Sequence, residues 1–282
     1  MNYRHAFHAG NFADVLKHAV LSRILVHLRR KSAPFRVIDI HAGAGRYDLT
    51  AAEAQRSGEW RDGIARLAAA SLPAPARALL APYLDAVTAC NPARRLTVYP
   101  GSPALARAFL RALDPLIACE LEPSAAAGLA RHLAGDRRSK ALTIDGWTAL
   151  NAYVPPKERR RLVLIDPAYE DAADFARLPA TLAAAHRKWA SGTYLLWYPI
   201  KDRTAPDALA RRLRNSEISK ILRAELSVTA REPSRLSACG LIAINPPWTL
   251  ADELAVLLPE LATVLSAAGG GAHRLDWLAG ER

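Results

Sequence analysis

The sequence DPAY at residues 166–169 places a carboxylate, a proline and an aromatic ring directly after the apolar run at residues 162–165. A carboxylate accepts hydrogen bonds from an exocyclic amine, and an aromatic ring three residues later can stack on a base. This combination suits chemistry on an amino group of a nucleobase. It predicts that Asp166, Pro167 and Tyr169 form the reactive part of a site.

Three other apolar runs also end in residues that could bind a ligand. The run at 36–40 leads into HAGAG at residues 41–45, the run at 116–119 ends at Glu120, and the run at 141–144 ends at Asp145. Such runs are typical of buried strands, and helical patterns separate them. The alternation predicts an α/β fold with a mostly parallel sheet, which binds ligands at the carboxyl ends of its strands.

The predicted elements divide the chain into a sheet domain and a helical insertion. The predicted strands lie near 36–40, 116–120, 141–144, 161–165, 193–198, 221–228 and 238–245, the last two as an antiparallel pair. We therefore expect a seven-stranded sheet in a domain formed by residues 1–47 and 96–282. The alanine-rich residues 48–95 are expected to form a helical insertion subdomain, and the glycines at 269–271 to begin a loose tail.

Composition favours a protein with a sizeable core and a polyanionic partner. The 282 residues are 51% hydrophobic, and lysine plus arginine exceed aspartate plus glutamate by 38 to 27, a net charge of +11. This charge suits nucleic acid, although an arginine-rich proteome explains it equally well, because the basic residues form only short clusters. The sequence has no membrane-length apolar run, no signal-peptide core and three separated cysteines, which favours a cytoplasmic protein.

The glycine segment favours a nucleoside cofactor that lacks a pyrophosphate. A dinucleotide fingerprint would need a third glycine where Asp48 stands and an acidic residue about 20 residues further on. The next acid at a strand end is instead Glu120, 75 residues after Gly45. S-adenosylmethionine fits better, because Glu120 could accept hydrogen bonds from its ribose and Asp145 from its adenine amine. An ordinary tight turn is the alternative for the glycine segment alone.

Histidines crowd the N-terminal region, where five of the eight precede residue 42. Asp14 and His18 are four residues apart and would share a helical face, so a metal site that also uses His8 is conceivable. No spacing matches the familiar zinc patterns, and we expect no metal. A solvated helix start is a second possibility. The interpretation that we favour is a segment folded over the site, where it holds cofactor and nucleic acid.

Five blocks of sequence carry a resemblance to a known family. They are YRHAFHAGN at 3–11 with DVLKH at 14–18, DIHAGAGRY at 39–47, YPGSP at 99–103, GTYLLWYP at 192–199 and INPPW at 244–248. Across nearly the whole chain, they resemble the ribosomal RNA large subunit methyltransferase J family. The resemblance implies a Rossmann-like class I fold that uses S-adenosylmethionine. It also implies N6-methylation of one adenine in 23S ribosomal RNA by direct in-line transfer.

The resemblance implies roles for individual residues. The implied cofactor ligands are His18, His41, Ser102, Glu120, Asp145, Gly146 and Asp166. The implied catalytic residues are Asp166, Pro167 and Tyr169, and the implied RNA-binding residues are Tyr3, His5 and Lys17. One departure is Ala168, where the family carries a second proline. Because proline fixes φ and lacks an N–H, alanine loosens this loop, and we expect activity to persist.

Several alternatives remain open from the sequence. A DNA adenine methyltransferase would use the same chemistry. A nucleic-acid-binding protein that has lost catalysis is a second alternative, and Ala168 would then be a trace of that loss. A nicotinamide dehydrogenase is disfavoured by the missing glycine. The sequence NPPW at 245–248 fits the general amino-methyltransferase motif, but it follows the last strand, so we expect a structural turn with a packed tryptophan. Trp60, Trp147 and Trp197 are expected in the core or an interface, and the protein is expected to be monomeric.

Overall fold

Eight strands of the described chain form the central sheet, and two more form a small hairpin. The computed structural model describes residues 3–93, 95–155, 157–171, 173–229, 235–267 and 270–280. The strands are β1 (Phe35–Asp39), β2 (Arg46–Asp48), β3 (Val98–Pro100), β4 (Leu116–Cys119), β5 (Ser139–Leu142), β6 (Arg160–Ile165), β7 (Thr193–Pro199), β8 (Ile221–Ser227), β9 (Ala238–Ile244) and β10 (Ala272–Ala279). Their order in the sheet is β5-β4-β1-β6-β7-β9-β8-β10, and β2 pairs with β3.

The centre of the sheet is parallel. Strand β1 lies between β4 and β6, with Val37 opposite both Leu116 and Leu162, and β5 and β7 extend the parallel set on either side. The central strands are buried on both faces, which explains why they are continuous apolar runs. Since all five point the same way, the segments that follow them meet at one edge of the sheet.

Ten α-helices among the described residues cover the two faces of the sheet. They are α1 (Phe12–Arg29), α2 (Ala52–Ser57), α3 (Arg66–Ala69), α4 (Ala74–Ala89), α5 (Ser102–Phe109), α6 (Pro123–Leu133), α7 (Gly146–Tyr153), α8 (Ala173–Lys188), α9 (Thr204–Arg214) and α10 (Leu250–Leu265). Helices α1, α4, α5, α6 and α10 pack on one face, and α7, α8 and α9 pack on the other. No helix in the described ranges is long and apolar enough to cross a membrane.

Helix α1 is the buried helix that carries the N-terminal motif into the core. The Asn11 side chain caps it by accepting hydrogen bonds from the backbone N–H groups of Ala13 and Asp14. Every residue from Phe12 to Leu25 is buried, including Lys17 and His18. The helix packs against α4, α5 and α10, so polar side chains on its first turns are enclosed by other elements.

The region at residues 48–95 is helical and packs on the same face as α1. Its helices are α2, a π-helix at Arg61–Ala65, α3 and α4. Leu80 and Tyr83 of α4 are fully buried in the hydrophobic cluster that also contains α1 and α10. This region shares its core with the sheet domain. The division of the chain into two domains stays a prediction.

The strand count differs from the predicted seven. The segment expected to form a loose tail contains β10, which pairs antiparallel with β8 along its whole length. Its alternation of apolar and polar residues fits an edge strand, with Leu275 and Leu278 packed on the two cores. Gly269 lies outside the described residues. The antiparallel pair predicted from the sequence is confirmed as β8 and β9.

Two local expectations are also corrected. Strand β5 ends at Leu142, two residues earlier than predicted, so Asp145 follows it after a short turn. Trp248 was expected to be packed, but it is 79% exposed. Its turn is built instead on Asn245, whose side-chain amide donates hydrogen bonds to the carbonyls of Ala190 and Gly192 at 2.7 and 2.8 Å. The turn lies at the edge opposite the predicted site, because β9 runs antiparallel to β7.

Candidate active site

A cavity of about 1570 Å³ opens at the carboxyl edge of the parallel strands. Its wall includes the glycine segment after β1, Glu120 after β4, the DPAY segment after β6 and residues of the N-terminal segment. The register explains this convergence, because Asp39 lies opposite both Ala118 of β4 and Leu164 of β6. The predicted strand-end residues of three neighbouring strands therefore face one space.

Glu120 fixes the glycine segment. Its Oε2 accepts a hydrogen bond from the Gly43 N–H at 2.8 Å, and its Oε1 accepts from the N–H groups of Leu121 and Glu122 at 2.9 and 2.8 Å. Gly45 has φ of +77°, a conformation that favours glycine. The carboxylate predicted as a ribose ligand thus also holds the loop that approaches the ligand.

A buried acid and a hydroxyl lie beneath this loop. Ser102, at the start of α5, donates a hydrogen bond to Asp39 Oδ2 at 2.6 Å, and Asp39 Oδ1 accepts from the His41 N–H at 3.3 Å. Burial raises the pKa of Asp39 to about 7, although Ser102 and Lys17 oppose the shift. Ser102 was predicted from the resemblance. Asp39, which holds the Ser102 hydroxyl, was not among the predicted site residues.

Two histidines, the buried His18 and the half-buried His41, line the cavity in their neutral form. Burial lowers the pKa of His18 to about 3 and that of His41 to about 4. His18 Nδ1 lies 2.7 Å from the Tyr99 hydroxyl, while its Nε2 is buried without a hydrogen-bond partner among the described residues. His41 Nδ1 accepts a hydrogen bond from the Asp166 N–H at 3.2 Å. The unpaired His18 nitrogen marks a polar ligand group at this wall.

Asp145 and Gly146 lie beside the cavity but are not among the residues that line it. The Asp145 side chain caps α7 by accepting hydrogen bonds from the N–H and hydroxyl of Thr148 at 2.8 and 2.9 Å. Gly146 packs so closely that a Cβ there would lie 2.3 Å from the Ile40 carbonyl oxygen and 2.6 Å from His41 Nε2. His41 also meets Trp147 edge-on at 5.1 Å. Gly146 therefore packs against His41 of the cavity wall, whereas the Asp145 side chain serves as the cap of α7.

Asp166 is paired with a buried lysine. Lys17 Nζ lies 2.5 Å from Asp166 Oδ2 and 2.9 Å from Asp14 Oδ1, and Lys17 is only 5% exposed. Burial alone would lower the pKa of Lys17, but the charges of Asp14 and Asp166 raise it well above its usual value. The lysine is therefore a permanent cation. No described residue donates a hydrogen bond to Asp166 Oδ1, which leaves that oxygen for a ligand.

The N-terminal segment lies over the same cavity. The Tyr3 hydroxyl is 2.7 Å from His5 Nδ1, and His5 Nε2 is 2.9 Å from Asp14 Oδ2. The Tyr3 N–H donates to Glu170, next to the DPAY segment. The three residues predicted to contact RNA, namely Tyr3, His5 and Lys17, are thus joined through Asp14. Sequence reasoning weighed Asp14 only as a metal ligand and missed this role.

The DPAY segment forms a strained turn with an inward ring. Tyr169 has φ of +53°, and its hydroxyl donates a hydrogen bond to the Trp197 carbonyl at 2.6 Å. Burial raises the pKa of Tyr169 well above its usual value, and the charge of Asp166 adds to the shift. Pro167, Ala168 and Trp197 line the cavity beside it. Trp197 was expected only in a core or interface, yet it also contributes to this wall.

A comparison with known proteins identifies the family. The family model described as "Ribosomal RNA large subunit methyltransferase D, RlmJ" matches residues 32–279. Similar curated proteins include ribosomal RNA large subunit methyltransferase J of Escherichia coli, 41% identical, and the protein of that name from Haemophilus influenzae, 37% identical, with full coverage of both chains in each case.

The chain belongs to this family. A similar solved structure is that of protein LPL1258 from Legionella pneumophila, with 33% identity, a TM-score of 0.87, and coverage of 96% of this chain and 98% of that one. The chain is therefore a methyltransferase with the class I α/β fold, and S-adenosylmethionine is its methyl donor.

The site of the methyltransferase fits this cofactor. Gly45 gives the loop the conformation that a close backbone approach requires, and Glu120 supplies a carboxylate at the cavity wall beside this loop. The unpaired Nε2 of His18 and the hydroxyl of Ser102 add polar groups at the same wall. In the described residues, no group of three or more histidine, cysteine, aspartate or glutamate side chains is placed to hold a metal ion.

Proposed function

We propose that this methyltransferase transfers a methyl group to the N6 amine of one adenine in 23S ribosomal RNA. The observation that carries the proposal is the position of Asp166, which lines the cavity together with the glycine loop and whose Oδ2 is held by Lys17, while no described residue donates to its Oδ1. A carboxylate and a neighbouring backbone carbonyl suit the two N–H groups of an exocyclic amine. The relatives are named as methyltransferases of large-subunit ribosomal RNA, which supports RNA as the substrate.

The cofactor would be held by residues already placed around the cavity. His18, His41, Ser102 and Glu120 line it directly, Gly146 packs against His41, and Asp145 caps the helix that begins at Gly146. When bound, S-adenosylmethionine supplies an electrophilic methyl group on a sulfonium. The protein therefore needs to provide alignment and electrostatics, and a covalent enzyme intermediate is unnecessary.

Asp166 and Pro167 would orient the reacting amine. The lone pair of an adenine amine is delocalised into the ring, so the amine is a poor nucleophile. If Asp166 Oδ1 and the Pro167 carbonyl oxygen accept its two N–H bonds, the nitrogen becomes pyramidal and its lone pair is freed. After transfer the nitrogen is acidic, and Asp166 Oδ1 can take its proton without being a strong base.

Lys17 and the aromatic residues would complete the site. The Lys17 ammonium lies 2.5 Å from Asp166 Oδ2 and thereby fixes the orientation of that carboxylate. Tyr169 and Trp197 provide apolar surface beside Asp166 on which the adenine ring can stack. A paired adenine would have to leave its helix to reach this depth, so an unfolded or flipped nucleotide is the expected substrate.

The decisive experiment follows labelled methyl transfer. The wild-type protein is incubated with labelled S-adenosylmethionine and either unmodified 23S RNA or duplex DNA, and the product is mapped by mass spectrometry. We expect label on N6 of one adenine in the RNA and little in the DNA. Preferential labelling of DNA, or of another atom, would overturn the proposal. The substrate also implies that the protein works in the cytoplasm, where ribosomes are assembled.

Variants of Asp166 test the catalytic assignment. Asp166→Ala and Asp166→Asn should lower transfer by at least about 10³-fold, because the amine loses its acceptor, while cofactor binding measured by calorimetry persists. Asp85→Asn is the matched control, since Asp85 is exposed on α4 and away from the cavity. Full turnover by the Asp166→Ala variant would refute the role of this carboxylate.

A further inference from the structure

Three arginines line the cavity on elements that adjoin the glycine loop. Arg46 begins β2, Arg107 lies on α5, and Arg131 lies on α6, and all three line the same cavity as Asp166. They come from elements that are distant in sequence, so the fold brings them together. We name Arg46, Arg107 and Arg131 the arginine cluster.

The members of the arginine cluster differ in how they are held. Arg107 is anchored, because its guanidinium donates a hydrogen bond to the His132 carbonyl at 2.7 Å and lies 3.9 Å from Asp136. Arg46 and Arg131 are exposed, and neither side chain makes a hydrogen bond or ion pair with any residue that the structure describes. Two of the three guanidinium groups are therefore available to an external partner.

Two members of the cluster, Arg46 and Arg107, lie close enough to His132 for their charges to act on its imidazole. Burial lowers the pKa of His132 to about 4, and the charges of Arg107 and Arg46 contribute to this shift. The His132 Nε2 is buried without a hydrogen-bond partner in the described chain. Arg107 has Asp136 as a partner, whereas Arg46 and Arg131 form no ion pair with a described carboxylate, so an anion from outside can bind them.

We propose that Arg46 and Arg131, which line the cavity together with Arg107, bind phosphodiester groups of the RNA strand that presents the target adenine to Asp166. The proposal rests on the proposed function, because that function makes the anion a polynucleotide. The cavity is larger than the roughly 300–1,000 Å³ of a usual small-molecule site, so it has room for nucleotides beside the target. Arginine forks match phosphate oxygens well, and such contacts fix the register of a strand without reading its sequence.

The carboxylate of the cofactor is a second anion that the arginine cluster could bind. The cofactor ligands, however, lie on the inner wall, where His18 and Ser102 are buried, whereas Arg46 and Arg131 are exposed at the outer end. A solvent-exposed position suits a long strand that continues out of the cavity. Separate measurements of RNA binding and cofactor binding distinguish the two sources.

The test compares paired variants of the whole protein. Arg46→Ala with Arg131→Ala removes two charges from the cluster, and Arg212→Ala with Arg214→Ala removes two exposed charges from α9, which does not line the cavity. Binding of an unmodified 23S RNA fragment is measured by filter retention at several potassium chloride concentrations. We expect the cluster variant to bind at least about tenfold more weakly. The slope of log affinity against log salt should fall by about 1.4 in magnitude, since each single-strand phosphate contact contributes roughly 0.7.

The remaining arms decide the interpretation. Arg46→Lys with Arg131→Lys should keep the salt slope, and cofactor affinity by calorimetry should be unchanged in every variant. Equal loss in the α9 variant, an unchanged slope in the cluster variant, or lost cofactor affinity with intact RNA binding would each overturn the proposal. If the wild type binds RNA with this slope but transfers no methyl group, the proposed function fails and the phosphate site stands. If the wild type methylates RNA but the cluster variant binds RNA like the wild type, the proposed function stands and the phosphate site fails.

Discussion

At the scale of single residues, Asp14 organises the centre of the site. It is 2% exposed, and its carboxylate accepts hydrogen bonds from His5 Nε2, Lys17 Nζ and the Gly10 N–H, each at 2.9 Å. Burial would raise the pKa of Asp14, but the charges of His5 and Lys17 lower it well below its usual value. One carboxylate thus positions two side chains that line the cavity.

We predict that Asp14→Asn slows methyl transfer by about tenfold or more, because Lys17 and His5 lose a common anchor and small misplacements are costly in such sites. The free energy of unfolding should fall by about 2 kcal/mol, since an amide cannot satisfy three donors. Thermal melting and labelled transfer measure the two effects, with Asp85→Asn as the exposed control. Wild-type transfer and melting in the Asp14 variant would show that the contacts are incidental.

At the scale of elements, the glycine segment shows how one turn serves two needs. Gly45 adopts a left-handed conformation, and a Cβ there would lie 3.1 Å from the His132 ring and 3.2 Å from Leu129. The turn is therefore fixed both by its backbone conformation and by α6. Gly135 adopts nearly the same conformation, with φ of +79°, but a Cβ on this residue would meet no atom within 4 Å. Comparing substitutions of Gly45 and Gly135 therefore distinguishes the effect of backbone strain, which both share, from the effect of contacts at the site, which only Gly45 makes.

We predict that Gly45→Ala and Gly135→Ala each lose about 1–2 kcal/mol of folding free energy through left-handed strain. Only Gly45→Ala should also weaken S-adenosylmethionine binding, by roughly tenfold, because the alanine displaces the loop toward the ligand wall. Denaturant titration and calorimetry report these two quantities. Equal cofactor affinity in both variants would mean that the loop is not part of the cofactor site.

At the scale of the whole molecule, the last strand closes the sheet far from the cavity. Asp276 of β10 accepts two hydrogen bonds at 2.8 Å from Arg223 of β8, which is only 2% exposed. Arg223 has a second, longer contact with Glu225 at 3.7 Å. The edge strand therefore supplies the main counter-charge of a buried cation, a contribution to stability rather than to chemistry.

We predict that Asp276→Ala lowers the free energy of unfolding by about 3 kcal/mol, because it removes the closest partner of a buried charge. Asp207→Ala, which breaks an exposed pair with Arg203, should cost less than about 1 kcal/mol. Both variants should transfer methyl groups at the wild-type rate at room temperature. A loss of transfer in Asp276→Ala without a loss of stability would contradict this separation.

The sequence predicted most strands of the sheet, because strand patterns depend on residues that are close along the chain. Buried parallel strands must be continuous apolar runs, and the residues that follow them must meet at one edge, which brought Glu120 and Asp166 to a common cavity. The pattern did not reveal β10, because a half-exposed edge strand after glycines resembles a polar tail. It also did not reveal that Trp248 is exposed, since residue type does not report what packs against a turn.

The sequence by itself determined the α/β class, the loop after β1 and the carboxylate after β6, because each depends on residues that are close along the chain. Only the tertiary structure decided that Lys17 pairs with Asp166, 149 residues away, and that three arginines from separate elements line the same cavity. The physical reason is that periodicity fixes which face of an element is buried. Which side chains then meet depends on how helices such as α1 and α6 pack over the strands, and no local pattern encodes that.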